Sequence, residues 1–240
     1  MENFKDSDLF KFGIGLFETI KITDKPIYLN LHLKRLKNAI DELGLNYNIE
    51  NLECEILDFI ENKKLKNKAL RVTVYDGGYE FTSRSFSYKE SFNLAVCDKK
   101  RGESIIYKHK TCNYFENIYY KNLALKNNYD DYLFIDYNNF LLETTISNIF
   151  FIKDDKVYTP SSNLYFLCGI IRNRIVEICI DNNIEVTESK ININSINNFD
   201  FCFVSNSLMN IIKVEKIGEI SYNKENIIFD KIKEILKQEN

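Results

Sequence analysis

A chain of 240 residues is long enough for one large domain or two modest lobes, since domains commonly run to about 100–200 residues. Its 45% hydrophobic and 28% charged residues are ordinary for a soluble globular protein, and a formal net charge of −3 gives no electrostatic ground for binding nucleic acid or an anionic membrane. The expected partners are small molecules. The first twenty residues carry charges throughout, and no stretch reaches the ~18 uncharged apolar residues of a membrane helix, which reads as cytoplasmic. Six cysteines without a C-x-x-C pair, and two histidines, His32 and His109, suggest neither a disulfide framework nor a metal centre.

Residues 15–29 predict two short strands joined at a turn. Phe17, Thr19 and Lys21 alternate with Leu16, Glu18, Ile20 and Ile22, and Asp24-Lys25-Pro26 supplies the punctuation. Asn30 is read as the N-cap of a helix carrying Leu33, Leu36, Ile40 and Leu43, ended by Gly44. A second helix is expected near 50–63 on Leu52, Ile56 and Ile60. Strands over 69–75 and 79–88 flank Asp76-Gly77-Gly78, a hairpin signal. An alternating strand, Phe92 to Val96, leads into the charged stretch Asp98–Glu103, and the lobes are loosely divided here, as 1–93 (N-terminal, α/β) and 94–240 (C-terminal). Beyond lie a helix over about 113–127, strands at 132–136, 140–144, 148–153 and 157–159, a helix over about 170–182 and a strand near 200–205. A last amphipathic helix starts at about 224 with Ile228, Ile232 and Ile235 in line. Helices between mixed and hairpin-linked strands point to an α+β fold rather than a doubly wound parallel sheet.

The chemistry is carried by Lys110-Thr-Cys-Asn-Tyr114 and, after a helix and a strand, by L-L-E143-T-T-I-S-N-I-F-F. Taken alone, Lys110 reads as a solvated lysine and Glu143 as an exposed charge, although the end of an apolar strand is an unusual place for a carboxylate without a partner. Together the segments resemble those of the fold-type IV pyridoxal-phosphate enzymes, the class IV aminotransferases and aminodeoxychorismate lyases. The resemblance implies that Lys110 forms the Schiff base with pyridoxal 5′-phosphate and that Glu143, 33 residues on, binds the pyridine nitrogen. Both residue types are needed. An amine must attack the aldehyde and then act as base and acid, and a carboxylate beside the ring nitrogen keeps it protonated as an electron sink.

Three further segments supply a phosphate cup by the same resemblance. In L31-H-L-K-R35-L, Arg35 matches the arginine of the family's H-x-x-R-L helix, and a planar guanidinium suits a phosphate dianion. In L167-C-G169-I-I-R, the backbone of Gly169, Ile170 and Ile171 matches the family's L-P-G-I-T-R turn, where N–H groups opening a helix hold the phosphate. In F203-V-S-N-S207-L, Ser207 matches a hydroxyl donor. Each has a plain alternative: an exposed helix arginine, a helix-start glycine, a strand-end turn. Tyr114 belongs either beside the cofactor or in the core, while Asn148, His32 and His109 read as structural. The resemblance spans about residues 10–215 and departs from the family at Ile14, Cys168, Ile171 and Lys213. It implies a small N-terminal α/β lobe, a larger C-terminal lobe with a mixed β pseudo-barrel and flanking helices, and a homodimer.

Within the family, G15-L-F-E-T19 resembles the lyases more than the branched-chain aminotransferases, which commonly show F-E-G there. The implied activity is release of 4-aminobenzoate and pyruvate from 4-amino-4-deoxychorismate, a step of folate biosynthesis, with Thr19 near the substrate. That substrate carries two carboxylates and calls for cationic donors. Arg101, nine residues before Lys110, is the candidate, with a surface charge as the alternative; Arg84 is read as surface. The rival readings are an aminotransferase for D-amino or branched-chain amino acids on the same Lys110, and a non-catalytic homologue.

Overall fold

The computed structural model describes residues 5–222 and 224–239. Among these the chain divides into two compact units. One holds the residues up to Ser87 together with His109–Tyr114; the other holds Tyr88–Lys108 and the residues from Phe115 onward.

The first unit contains a short helix α1 (Asp8–Phe12), capped by the Ser7 side chain, followed by strand β1 (Leu16–Ile22). β1 pairs antiparallel with β2 (Lys68–Tyr75), and β2 with β3 (Gly78–Arg84). The Asp76-Gly77-Gly78 hairpin forms as expected, with Gly78 at φ 124, where a side chain would be strained. Strand alternation sends Leu16, Ile20, Ile22, Leu70, Val72 and Val74 to one face, covered by Leu36 and Ile40 of α2 (Leu29–Glu42) and Leu52 and Ile56 of α3 (Leu52–Asn62). The same alternation assigns Phe17, Thr19, Arg71 and Thr73 to the opposite face.

Two expectations for this stretch fail. Only one strand forms between 15 and 29: Ile27 N–H donates to Lys21 O at 2.9 Å and Ile22 bridges Pro26, so the chain reverses in a loop too tight for a second strand. Asn30 does not cap α2. Tyr28, left-handed at φ 54, holds that position, and its carbonyl accepts from both Leu31 and His32. Apolar spacing marks the body of the helix, but its start is set by a turn that carries no capping side chain.

In the second unit β4 (Ser91–Arg101), β5 (Asp131–Asp136), β6 (Leu141–Thr144), β7 (Asn148–Lys153), β8 (Lys156–Pro160), β9 (Val186–Ser189), β10 (Phe201–Asn206) and β11 (Asn210–Ile217) form one mixed sheet. Its order is β6-β5-β4-β11-β10-β7-β8-β9, with β12 (Ile220–Ser221) paired to β11. β4 runs parallel to β5 and β11, and β8 to β9; the other pairs are antiparallel. The start of the charged stretch, Asp98 to Arg101, is the end of β4. β9 and β11 escape the sequence reading because β9 is short and polar, and Lys213, Glu215 and Lys216 interrupt the alternation of β11.

Helices α4 (Phe115–Lys126), α5 (Ile170–Asp181) and α6 (Ile227–Gln238) pack on β5, β10 and β11 respectively. Cys202 and Val204 of β10 join the core formed by Phe92, Leu94, Leu133, Ile149, Phe151 and Val214. Phe201 and Phe203 turn to the other face and meet Phe150 and Phe229. α6 buries Phe229, Ile232 and Leu236, with Ile228 and Ile235 only half-buried, because the larger Phe229 ring takes the inward position. No helix among the described residues is long and apolar enough to cross a membrane.

Candidate active site

Lys110 is fixed to the edge of β1. Its carbonyl accepts from Phe17 N–H at 2.9 Å, Cys112 N–H donates to Gly15 O at 2.7 Å, and Thr111 bridges Leu16. The Lys110 ammonium lies 4.3 Å from the centroid of the Phe17 ring and 5.2 Å from that of Tyr114, and the two rings meet edge to face at 5.2 Å. Tyr114 thus packs on Phe17 beside the amine.

Arg71 belongs to the same group, and sequence reasoning missed it. Its guanidinium carbon stands 3.7 Å from the Phe17 centroid, Nε donates to Thr73 Oγ1 at 3.2 Å, and Nη2 reaches Cys112 Sγ at 4.0 Å. It has no carboxylate partner among the described residues. Thr19 lies directly opposite Arg71 in the β1–β2 register. The only signal in the sequence was a single cation in the otherwise uncharged strand A-L-R-V-T-V-Y.

Arg35 projects from α2 as expected, and a carboxylate meets its fork. Nε and Nη2 donate to Glu18 Oε1 and Oε2 at 2.8 and 2.6 Å, and His32 Nδ1 lies 2.7 Å from Glu18 Oε2. Burial alone would raise the Glu18 carboxyl, but Arg35 and His32 together hold it well below the usual carboxylate range. Burial lowers the His32 ring, against the pull of Glu18. The second histidine, His109, has Nε2 3.2 Å from Glu42 Oε2.

In the second unit, Arg101 occupies neither the surface nor a site mouth. It is fully buried at the end of β4, where Nε donates to Glu116 Oε2 at 2.8 Å, Nη1 to Glu143 Oε1 at 3.0 Å and Nη2 to Asn117 Oδ1 at 2.9 Å. The Phe134 and Tyr107 rings stand 3.6 and 4.7 Å from its guanidinium carbon. A guanidinium whose every nitrogen donates to a protein acceptor is built inward. Glu143, on β6, is buried, and Arg101 is the partner that its place on an apolar strand demanded.

Gly169 opens α5 in extended geometry without a side-chain cap. A Cβ there would lie 2.3 Å from Asn148 Oδ1, which accepts Gly169 N–H at 3.0 Å, while Asn148 Nδ2 donates to Leu167 O at 2.7 Å. Asn148 therefore shapes the turn and takes up one of the three backbone donors expected for phosphate. The N–H groups of Ile170 and Ile171 have no acceptor among the described residues and sit at the positive end of the helix. Arg172, buried in the first turn of α5, is held by Pro160 O at 2.8 Å and Glu188 Oε2 at 2.7 Å. Ser207 lies in the β10–β11 turn. Two residues earlier, Ser205 Oγ is buried with no hydrogen-bond partner among the described residues.

The family model for amino-transferase class IV matches residues 15–217. The chain belongs to the class IV aminotransferase family. The "probable branched-chain-amino-acid aminotransferase" of Rickettsia conorii is 31% identical over 238 aligned residues, covering 90% of this class IV chain and 81% of that protein. The aminodeoxychorismate lyase of Bacillus subtilis is 25% identical, covering 89% and 80%. Among solved structures, a Legionella pneumophila protein provisionally named 4-amino-4-deoxychorismate lyase matches with a TM-score of 0.93 at 26% identity, over 98% of this chain and 94% of that one. The α+β architecture expected of fold-type IV, with its small antiparallel sheet and larger mixed sheet, is the one observed. The class IV family is one of pyridoxal-phosphate-dependent enzymes.

Proposed function

We propose that the chain is a pyridoxal-phosphate-dependent lyase that releases 4-aminobenzoate and pyruvate from 4-amino-4-deoxychorismate. The observation that carries this reading is Lys110 set against β1 beside Phe17 and Tyr114, with Arg71, which has no carboxylate partner among the described residues, over the same Phe17 ring. The F-E-T19 segment and the likeness to the Bacillus and Legionella proteins support the lyase assignment.

The donor set fits the cofactor. Two N–H groups at the start of α5 and the Ser205 hydroxyl, all without a partner among the described residues, suit a phosphate, and the buried Glu143 carboxylate suits a protonated ring nitrogen. Pyridoxal phosphate, when bound, supplies an electron-withdrawing ring to the substrate's amine-bearing carbon. Lys110 holds the cofactor, takes the proton at C4 of the substrate as the C3–O bond breaks, and returns a proton to the departing three-carbon unit. Glu143 keeps the ring nitrogen protonated. Arg35, Ile170, Ile171, Ser205 and Ser207 would bind the phosphate, and Arg71 and Thr19 would orient the substrate carboxylates. The enzyme is further proposed to act as a homodimer, for which exposed Phe115, Ile118 and Tyr119 on α4 provide apolar surface.

A second reading, an aminotransferase for branched-chain amino acids, is favoured by the likeness to the Rickettsia protein and keeps Lys110 as the base. The two separate in one experiment. The wild type with pyridoxal phosphate is expected to show a visible absorbance band bleached by borohydride, and to turn aminodeoxychorismate into equal amounts of 4-aminobenzoate and pyruvate. Lys110→Ala is expected to show neither. A wild type that stays colourless overturns the cofactor reading. Transamination of branched-chain amino acids with 2-oxoglutarate and no aromatic product moves the assignment to the second reading.

A further inference from the structure

Asn148 and Ser205 stand directly opposite each other where β7 pairs antiparallel with β10. Residues opposed in this way send their side chains to one face of the sheet, about 5 Å apart. Two residues along, Phe150 and Phe203 hold the same relation, with their rings stacked at 4.9 Å. Asn148 and Ser205 are both buried, yet among the described residues the Asn148 amide makes no bond to the hydroxyl beside it.

The amide serves the loop that leads into α5 instead. Nδ2 donates to Leu167 O at 2.7 Å and Oδ1 accepts Gly169 N–H at 3.0 Å, so one side chain holds both a carbonyl and an N–H of that loop. The fit is close, since a Cβ on Gly169 would lie 2.3 Å from Oδ1. This clamp ties the start of α5 to the position on β7 that faces Ser205. Three buried donors there have no acceptor among the described residues: the N–H groups of Ile170 and Ile171 and the Ser205 hydroxyl. Buried polar groups are seldom left unmatched, and donors gathered at the positive end of a helix match an anion with several acceptor oxygens.

We infer that Asn148 is a positioning residue for the cofactor phosphate: its clamp on residues 167–169 holds the opening N–H groups of α5 on the sheet face that carries the Ser205 hydroxyl. The inference rests on the proposed binding of the phosphate at the start of α5. Asn148 acts through the loop, because both ends of its amide are spent there. Without the clamp the loop is free to move, and the helix donors no longer converge with the hydroxyl on one anion.

The test compares pyridoxal phosphate with pyridoxal, which lacks the phosphate, in equilibrium titrations of the cofactor-free protein. The wild type is expected to prefer pyridoxal phosphate by more than roughly a hundredfold, the scale of several charge-assisted hydrogen bonds. Asn148→Ala should cut that preference about tenfold, the equivalent of one hydrogen bond to a charged group. Gly169→Ala should do the same, because its Cβ pushes the loop off Asn148 without removing a polar group, and it decides the matter if Asn148→Ala fails to fold. A purely structural role would weaken both ligands together and leave the ratio unchanged, and that result overturns the inference. Ser205→Ala separates the two levels. If the wild type binds both ligands equally, the phosphate site falls and this inference with it. If Ser205→Ala lowers the preference while Asn148→Ala and Gly169→Ala do not, this inference falls alone.

Discussion

Arg35 and Arg101 are each held by a glutamate on a strand of their own unit, yet the two sites balance charge differently. Arg35 meets a single carboxylate through two bonds, and His32, 2.7 Å away, offers that carboxylate a further partner that can take up a proton. Arg101 is shared between Glu116 and Glu143, and its remaining contact, Asn117, is neutral. The first arrangement includes a group that can adjust by protonation. The second divides one guanidinium between two carboxylates on different elements, so that both depend on a single cation's position.

Removing each arginine tests this difference at its largest. Arg101→Met takes the guanidinium away from the buried Glu143 carboxylate, and the loss of one partner of a buried pair costs about 3–5 kcal/mol. Arg35→Met should cost less, because Glu18 can share a proton with His32. Urea unfolding of both cofactor-free variants at pH 7 measures the gap, and equal losses would break the comparison.

Acidification sharpens it next. The folded Glu18 carboxyl lies below its ordinary value of 4.5, so its contribution is present above that pH and is lost as pH falls through the folded value. The folded His32 ring also lies below its ordinary value of 6.5, so its contribution is complete above 6.5 and fades on acidification. Both groups make the first unit acid-labile. Glu18→Gln should lose on the order of 2 kcal/mol at pH 7, the scale of hydrogen bonds to a charged group, and should lose less than the wild type between pH 7 and pH 3. An unchanged or steeper pH slope in the variant would remove the assigned role of Glu18.

Much of the fold was legible because apolar periodicity is local: α3, β2, β7 and α5 lie where the spacing placed them. The partners of the charged residues were not. Arg101 is 15 residues from Glu116 and 42 from Glu143; the pairing of β4 with β5 and of β5 with β6 brings in Glu143, and the packing of α4 on β5 and β4 brings in Glu116. Arg71 was invisible for a related reason, since what distinguishes it is that no carboxylate among the described residues pairs with it, which no run of residues encodes. The F-E-T19 segment was read for its threonine, yet its glutamate turned out to be the counter-ion of Arg35. Motifs report which residue types recur together, whereas charge balance depends on which of them the tertiary fold makes neighbours.

The smallest expected effect distinguishes a hydroxyl built for structure from one kept for a ligand, and both occur in the second unit. Thr159 Oγ1 is buried and donates to Ile149 O at 2.9 Å; Ser205 Oγ is buried with no partner among the described residues. Thr159→Val should therefore destabilise the cofactor-free protein by about 1–2 kcal/mol, since it leaves a buried carbonyl short of its donor. Ser205→Ala deletes a group that makes no hydrogen bond and should change stability by less than about 0.5 kcal/mol, or raise it, because a buried unsatisfied polar atom is removed. The same serine variant should bind pyridoxal phosphate more weakly than the wild type if the hydroxyl serves the phosphate. Thermal unfolding without cofactor and titration with it separate the two effects. A large loss of apo stability in Ser205→Ala would show the hydroxyl to be an ordinary structural donor and remove it from the phosphate site.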